Sequence, residues 1–149
     1  MRLARAGIAV VTGCVLAVGG SGGVGLAGAA DEPMVKLESA KYQPPVEQEP
    51  PILEVTVTYR CAEGAAKYLK IYTEQSSPEP DQVGPAKGES QREEVECNGE
   101  NNKMTRAVIV PDDGTQHDFW HHPGSGEVRA VLWDENEKVV AKNKRKLSW

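Results

Sequence analysis

The feature that most constrains the fold is a strictly alternating segment, Leu53 to Cys61, that ends on a thiol. Its odd-numbered positions carry Leu, Val, Val, Tyr and Cys, whereas its even-numbered positions carry Glu, Thr, Thr and Arg. Because successive side chains of a β-strand point to opposite faces, this pattern predicts a strand with one apolar face that includes the Cys61 side chain. Such a strand must bury that face against a second layer.

The same test predicts seven strands in all, and no window of twelve residues after the first thirty has a helical period. The other six are Val35 to Tyr42, Tyr68 to Thr73, a strand that includes Val95 and Cys97, Met104 to Val110, Val128 to Asp134, and Val139 to Leu147. The expected fold class is therefore all-β, with antiparallel strands in two packed sheets.

The connections follow from turn-forming residues. Ser76 to Gln91 is polar and rich in Pro and Gly, which predicts a connection, and Asp134 to Glu137 predicts a hairpin turn between the last two strands. Two Pro-Pro pairs bracket Val46 to Glu49, so this stretch cannot be a central strand and is expected to be a crossover between sheets or an edge.

The first thirty residues predict an export signal. Arg2 and Arg5 precede an apolar stretch, Ile8 to Val18, which is shorter than the roughly 20 residues of a membrane span. Small residues suited to cleavage follow at Ala27, Ala29 and Ala30. We therefore expect residues 1–30 to be removed and residues 31–149 to form a single secreted domain, extracellular or cell-wall-associated, with no stable membrane span.

Two alternatives to a cleaved, free protein stay open. The segment could remain as an uncleaved anchor, although its many glycines dilute its hydrophobicity. Val11 to Cys14 resembles a bacterial lipobox, in which Cys14 would be lipidated. The most apolar residues, Val15 to Val18, follow this Cys, whereas a lipoprotein signal has them before it, so we expect no lipid.

Charge and cysteine content limit the classes of function that the chain can have. Loss of Arg2 and Arg5 would leave 15 basic residues against 22 acidic ones, a formal charge of −7, which argues against nucleic acid binding. Cys14 would leave with the signal, so Cys61 and Cys97 are expected to form one disulfide outside the cell. They lack the Cys-x-x-Cys spacing of a redox or metal pair.

Three short motifs stand out: Thr58-Tyr59-Arg60-Cys61, Val95-Glu96-Cys97-Asn98-Gly99, and the strand Gly126-Glu127-Val128-Arg129-Ala130-Val131-Leu132. With these motifs the chain resembles small secreted actinobacterial proteins of uncharacterised function. The resemblance implies an immunoglobulin-like sandwich with one bridge between the two cysteines, and it implies no reaction. No Trp follows Cys61 in the position typical of antibody domains, so binding surfaces of that superfamily are not transferred.

All three histidines lie within six residues and form the clearest candidate site. His117, His121 and His122 could supply nitrogen ligands for zinc or copper, with oxygen ligands from neighbouring aspartates. The alternative is a solvated loop in which Phe119 and Trp120 close one end of the sandwich. No resident cofactor is expected.

The chain is not expected to be an enzyme. Gly124-Ser125-Gly126 is not a nucleophile elbow, and paired acids such as Glu93-Glu94 would point to opposite faces of a strand. The basic run Lys142 to Lys146 could contact an anionic wall polymer or lipid headgroups, or it could protect an edge strand from aggregation. Pairing of this run with the acidic segment Glu89 to Glu100 is left open.

The preferred hypothesis is therefore a non-catalytic secreted binding module whose partner is an extracellular protein or a cell-wall polymer. An extracellular metal-binding protein that uses the histidines is the alternative. A secreted enzyme inhibitor is a third possibility, because small secreted β-sandwiches include inhibitors.

Overall fold

Eight antiparallel strands form two packed sheets in the computed structural model, which describes residues 32–81, 83–112 and 118–149. The predicted export signal with its expected cleavage region, Cys14 and His117 lie outside the described residues. Within those ranges no helix is long and apolar enough to cross a membrane. The strands are β1 Met34–Gln43, β2 Ile52–Arg60, β3 Tyr68–Gln75, β4 Ala86–Glu89, β5 Glu93–Glu94, β6 Asn102–Val108, β7 Ser125–Trp133 and β8 Val139–Ser148.

One sheet has three strands in the order β1-β2-β6, and the other has five. In the larger sheet the order is β4-β3-β7-β8, and β5 pairs with the same edge of β3 as β4 does. Inward-facing Val, Leu and Ile side chains from both sheets form the core, including Leu37, Leu53, Leu69 and Leu132, which are fully buried. Burial of each such side chain stabilises the fold by about 1.5–3 kcal/mol.

The two sheets are joined along both long sides. On one side the backbone N of Glu89 donates to Ile109 O at 3.2 Å. On the other side, Asn143 Oδ1 accepts a hydrogen bond from Leu37 N, and Arg145 donates one to Leu37 O, both at 3.4 Å. Asn143 and Arg145 thus point from β8 toward the other sheet and contact β1 just before its bulge, which follows Leu37.

The disulfide between Cys61 and Cys97 is confirmed. Cys61 follows β2 of the smaller sheet and Cys97 follows β5 of the larger sheet, with their Cα atoms 4.8 Å apart. The bridge therefore fastens one sheet to the other, as the buried phase of the Cys61 side chain predicted.

Six of the seven predicted strands are found, but the prediction between Ser76 and Cys97 was wrong in two places. β4 lies inside the stretch that was assigned to a connection, and Val95 and Cys97 follow the short strand β5 instead of forming one. The inward positions of β4 are Ala86 and Gly88, which carry too little apolar surface to show a pattern. A side chain does not fit at Gly88, because a Cβ there would lie 2.5 Å from Ile109 O and 2.6 Å from the Trp120 ring.

The prediction of a crossover at Val46 to Glu49 was also wrong. Residues 44–51 connect β1 to β2 within one sheet, and Glu49 N donates to Val46 O at 2.9 Å across the turn. Glu47 adopts a φ of 54° at its tip. The proline pairs end the two strands on either side of this turn. The predicted hairpin turn is found, because Asp134 Oδ1 accepts hydrogen bonds from Asn136 N and Lys138 N, both at 2.9 Å.

Candidate binding surface

We call residues 118–122 the histidine segment, and this segment closes one end of the sandwich. Trp120 is buried, donates from Nε1 to Val108 O at 3.1 Å, and packs edge-on against Trp149. Trp149 in turn donates from Nε1 to His121 O at 2.9 Å. The expectation that Trp120 plugs this end is met, whereas Phe119 is 47% exposed and does not.

The structure directs two of the three predicted metal ligands to different partners. His121 Nε2 lies 2.7 Å from Asp118 Oδ2, and the His122 ring stacks on Tyr42 with centroids 5.1 Å apart. Among residues 32–81, 83–112 and 118–149, no three His, Cys, Asp or Glu side chains are placed to hold a metal ion together. His117 is outside these ranges, so the metal site stays a prediction.

The pKa of the Asp118 carboxyl group is lowered. Burial alone would raise this pKa. Hydrogen bonds from Ser77 and His121, together with the charge of His121, lower it by more, so the pKa lies below its ordinary value. Ser77 Oγ donates to Asp118 Oδ2 at 2.8 Å. The carboxylate thus ties the connection after β3 to the segment before β7.

A different surface concentrates half-buried aromatic rings and charged side chains. We call it the outer face: the side of the five-stranded sheet that points away from the core. Alternation along β3 and β7 places four side chains of each strand there. They are Tyr68, Lys70, Tyr72 and Glu74 from β3, and Glu127, Arg129, Val131 and Trp133 from β7.

Cations lie against the aromatic rings of this face. Arg129 Cζ is 4.6 Å from the centroid of the Tyr72 ring, and Lys70 Nζ is 5.3 Å from the same centroid. Arg92, which comes from the segment before β5, lies 4.1 Å from the Tyr68 ring and 5.8 Å from the Trp133 ring. Each contact of this kind contributes about 0.5–1 kcal/mol at an exposed site and restrains the long side chain.

Long side chains surround and cover the apolar Val131 side chain at the centre of this face. Val131 points outward by register, between Lys70 on β3 and Lys142 on β8, yet it is only 5% exposed. Aliphatic stems of basic residues commonly cover apolar surface while their charged ends stay in water. The outer face is thus a packed surface with a defined shape.

Most cations of the outer face have carboxylate partners. Lys70 pairs with Glu89 at 2.6 Å, Arg92 with Glu137 at 2.8 Å, and Lys144 with Glu127 at 2.7 Å. In the described part of the chain, Arg129 forms no ion pair with a carboxylate, and neither do Lys142 and Lys146 of this face; the Arg129 guanidinium contacts the Tyr72 ring instead. The Arg129 side chain is exposed.

Three depressions follow one another along β3 and β7. The first, of 250 Å³, lies beside Trp133 and shares Tyr72 with the second, of 390 Å³, which Arg129 also lines. The second shares Glu74 and Glu127 with the third, of 350 Å³. The seven residue steps of β7 from Trp133 to Gly126 correspond to a track about 23 Å long.

This surface was not predicted from the sequence, although part of the residue pattern that forms it is visible there. Aromatic and basic residues occupy alternate positions at Tyr68, Lys70 and Tyr72, and again at Arg129 and Trp133. Both segments were correctly predicted as strands, but only their buried phase was interpreted. The lysines of Lys142 to Lys146 share this face on the edge strand β8, as the edge-strand interpretation expected. The observed partner of Lys144 is Glu127 and not the acidic segment Glu89 to Glu100.

Comparisons with known proteins are sparse. No protein-family model and no curated protein matches the chain. Among solved structures, the chain is similar to a β-glucosidase from Listeria innocua in complex with gluconolactone, with 17% identity and a TM-score of 0.41 over 78% of this chain and 16% of that one. It is also similar to DesR, a β-glucosidase from Streptomyces venezuelae in complex with D-glucose, with 17% identity and a TM-score of 0.33 over 77% of this chain and 15% of that one.

Proposed function

We propose that this protein is a non-catalytic, exported binding module, and that its binding surface is the outer face of the five-stranded sheet. The observation that carries the proposal is the Arg129 guanidinium, which lies against the Tyr72 ring and, among the described residues, forms no ion pair with a carboxylate. A restrained, unneutralised cation loses little side-chain entropy when a ligand binds, so it suits recognition. Its partner is a component of the cell wall or of the extracellular medium.

The shape of the surface supports an extended ligand. Depressions that share Tyr72, and then Glu74 and Glu127, form one open track instead of a single enclosed pocket. A polymer or an extended chain can occupy such a track, whereas a small molecule would use one depression. The disulfide between Cys61 and Cys97 supports an oxidising location outside the cytosol.

The test is sedimentation of the purified protein with the insoluble wall fraction of the producing cell. Arg92→Gln combined with Arg129→Gln removes two cations from the outer face. We expect this variant to pellet with an affinity reduced by about tenfold or more, because charge-assisted hydrogen bonds to the ligand are lost.

The matched control removes two cations from the opposite side of the molecule. Lys41 and Lys103 lie on the outer side of the three-stranded sheet, so Lys41→Gln combined with Lys103→Gln produces the same change in net charge. We expect this variant to pellet like the wild type. Equal loss in both variants would mean non-specific attraction to net charge, and wild-type pelleting of both would exclude the outer face; either result contradicts the proposal.

A further inference from the structure

We infer that the ligand of the outer face is a linear polysaccharide that carries carboxylate groups on some of its sugar rings, and that Arg129 binds one of those carboxylates. This inference rests on the proposed binding function and specifies its substrate class. It depends on the order of donors and acceptors along the track, on the contact of Arg129 with the Tyr72 ring, and on where the carboxylates of the protein lie.

The track alternates hydrogen-bond acceptors with donors. Carboxylates line it at Glu137, Glu89, Glu74 and Glu127, and ammonium or guanidinium groups lie beside them at Arg92, Lys70, Lys87 and Lys144. Carboxylates only accept hydrogen bonds, and these cations only donate them. A sugar hydroxyl does both, so a hydroxyl-rich chain can satisfy each neighbouring pair in turn. The half-buried rings of Tyr72 and Trp133 offer apolar contact to the C–H faces of sugars.

Arg129 adds a requirement for negative charge. Its guanidinium lies 4.6 Å from the Tyr72 centroid and lines the central depression, where no carboxylate of the described chain neutralises it. A guanidinium that rests on an aromatic ring still presents donors that match the two oxygens of a carboxylate. The central depression is therefore the place for a charged sugar ring.

The density of charge on the ligand is limited by the protein's own acids. A phosphodiester chain would bring a negative charge at every link, including the positions opposite Glu74 and Glu127, where it would compete with these carboxylates for their lysine partners, Lys87 and Lys144. Like charges at such close range are unfavourable. A polysaccharide with carboxylates at intervals can place a charged ring at Arg129 and uncharged hydroxyls beside these glutamates.

Hyaluronan oligosaccharides are a suitable probe, because their carboxylates occur on alternate rings. Titration calorimetry with the purified protein is expected to give saturable binding. Carboxyl-reduced hyaluronan, which keeps the hydroxyls and loses the charge, should bind about tenfold more weakly. Arg129→Gln should abolish this preference for the charged form, Arg129→Lys should retain part of it, and Lys103→Gln should retain all of it.

The remaining outcomes separate this inference from the proposed function. Equal binding of both hyaluronan forms, a preference for poly(glycerol phosphate), absence of saturable binding, or a preference that survives in Arg129→Gln would each overturn the inference. If wall binding still depends on Arg92 and Arg129 in those cases, the proposed function stands with another ligand. If wall binding does not depend on them, both are wrong.

Discussion

The outer sides of the two sheets follow the same alternation and differ in chemistry. On the three-stranded sheet, the outward positions of β2 and β6 carry Thr side chains and long polar ones such as Glu54 and Lys103, and none of these positions carries an aromatic ring. Thr56 Oγ1 lies 2.8 Å from Thr105 Oγ1. On the five-stranded sheet, the corresponding positions carry aromatic rings with cations packed against them, such as Tyr72 with Arg129. A sandwich needs only a polar exterior to be stable, and β2 and β6 meet that need without aromatic residues.

The difference therefore lies in the aromatic rings of the outer face and in the side chains that pack against them. Each of the three depressions along β3 and β7 is lined by aromatic or long charged residues. The largest expected effect concerns the link between the two sheets, the next concerns the packing of β4 against Trp120, and the smallest concerns the histidine segment.

The largest effect is expected from loss of the disulfide. Cys97→Ser should lower the free energy of unfolding by about 2–5 kcal/mol, because the bridge restricts the unfolded chain and fastens the two sheets together. Denaturant unfolding followed by Trp fluorescence measures this loss, and reduction of the wild type should reproduce it. An unchanged midpoint in both experiments would show that the sheets hold together without the bridge.

A smaller effect is expected from Gly88→Ala, at the place where β4 meets the segment after β6. The added methyl group would meet Ile109 O and the Trp120 ring, so we expect a loss of about 1–3 kcal/mol from overpacking. Lys87→Ala, on the exposed phase of the same strand, should change stability by less than about 0.5 kcal/mol and serves as the control. Thermal unfolding distinguishes them, and equal effects would contradict the close packing of β4 against Trp120.

The smallest effect is expected in the histidine segment, and it concerns the pH dependence of stability. The pKa of Asp118 is lowered in the folded state, so its stabilising contribution is present above the ordinary value of 3.8 and is lost as the pH falls through the folded value. Asp118→Asn should therefore cost about 0.5 kcal/mol near pH 6 and little near pH 2.

Urea unfolding at the two pH values measures this difference. The control is Asp81→Asn, an exposed aspartate in the connection after β3. A pH profile of Asp118→Asn that runs parallel to that of the wild type would contradict a role for the Ser77 and His121 contacts.

Prediction from the sequence succeeded where one residue pattern repeats along a strand. β2 was found because Leu, Val and Tyr alternate with polar residues, and β7 was found because Val128, Ala130 and Leu132 occupy alternate positions. β4 was missed because its inward positions are Ala86 and Gly88, whose small size is required by the neighbouring Trp120 and not by local propensity. The histidines were correctly located near one another in sequence, yet His121 and His122 have separate partners in Asp118 and Tyr42.

The sequence by itself determined the all-β class, the phase of the long strands and the pairing of the two cysteines, because these depend on a period of two and on a count of thiols. The tertiary structure alone decided which side chains meet on the outer face. Arg92 reaches Tyr68 and Trp133 from a different segment of the chain, and Arg129 meets Tyr72 only because β7 pairs with β3 in that register. Contacts between distant segments depend on strand order and register, which no local pattern specifies.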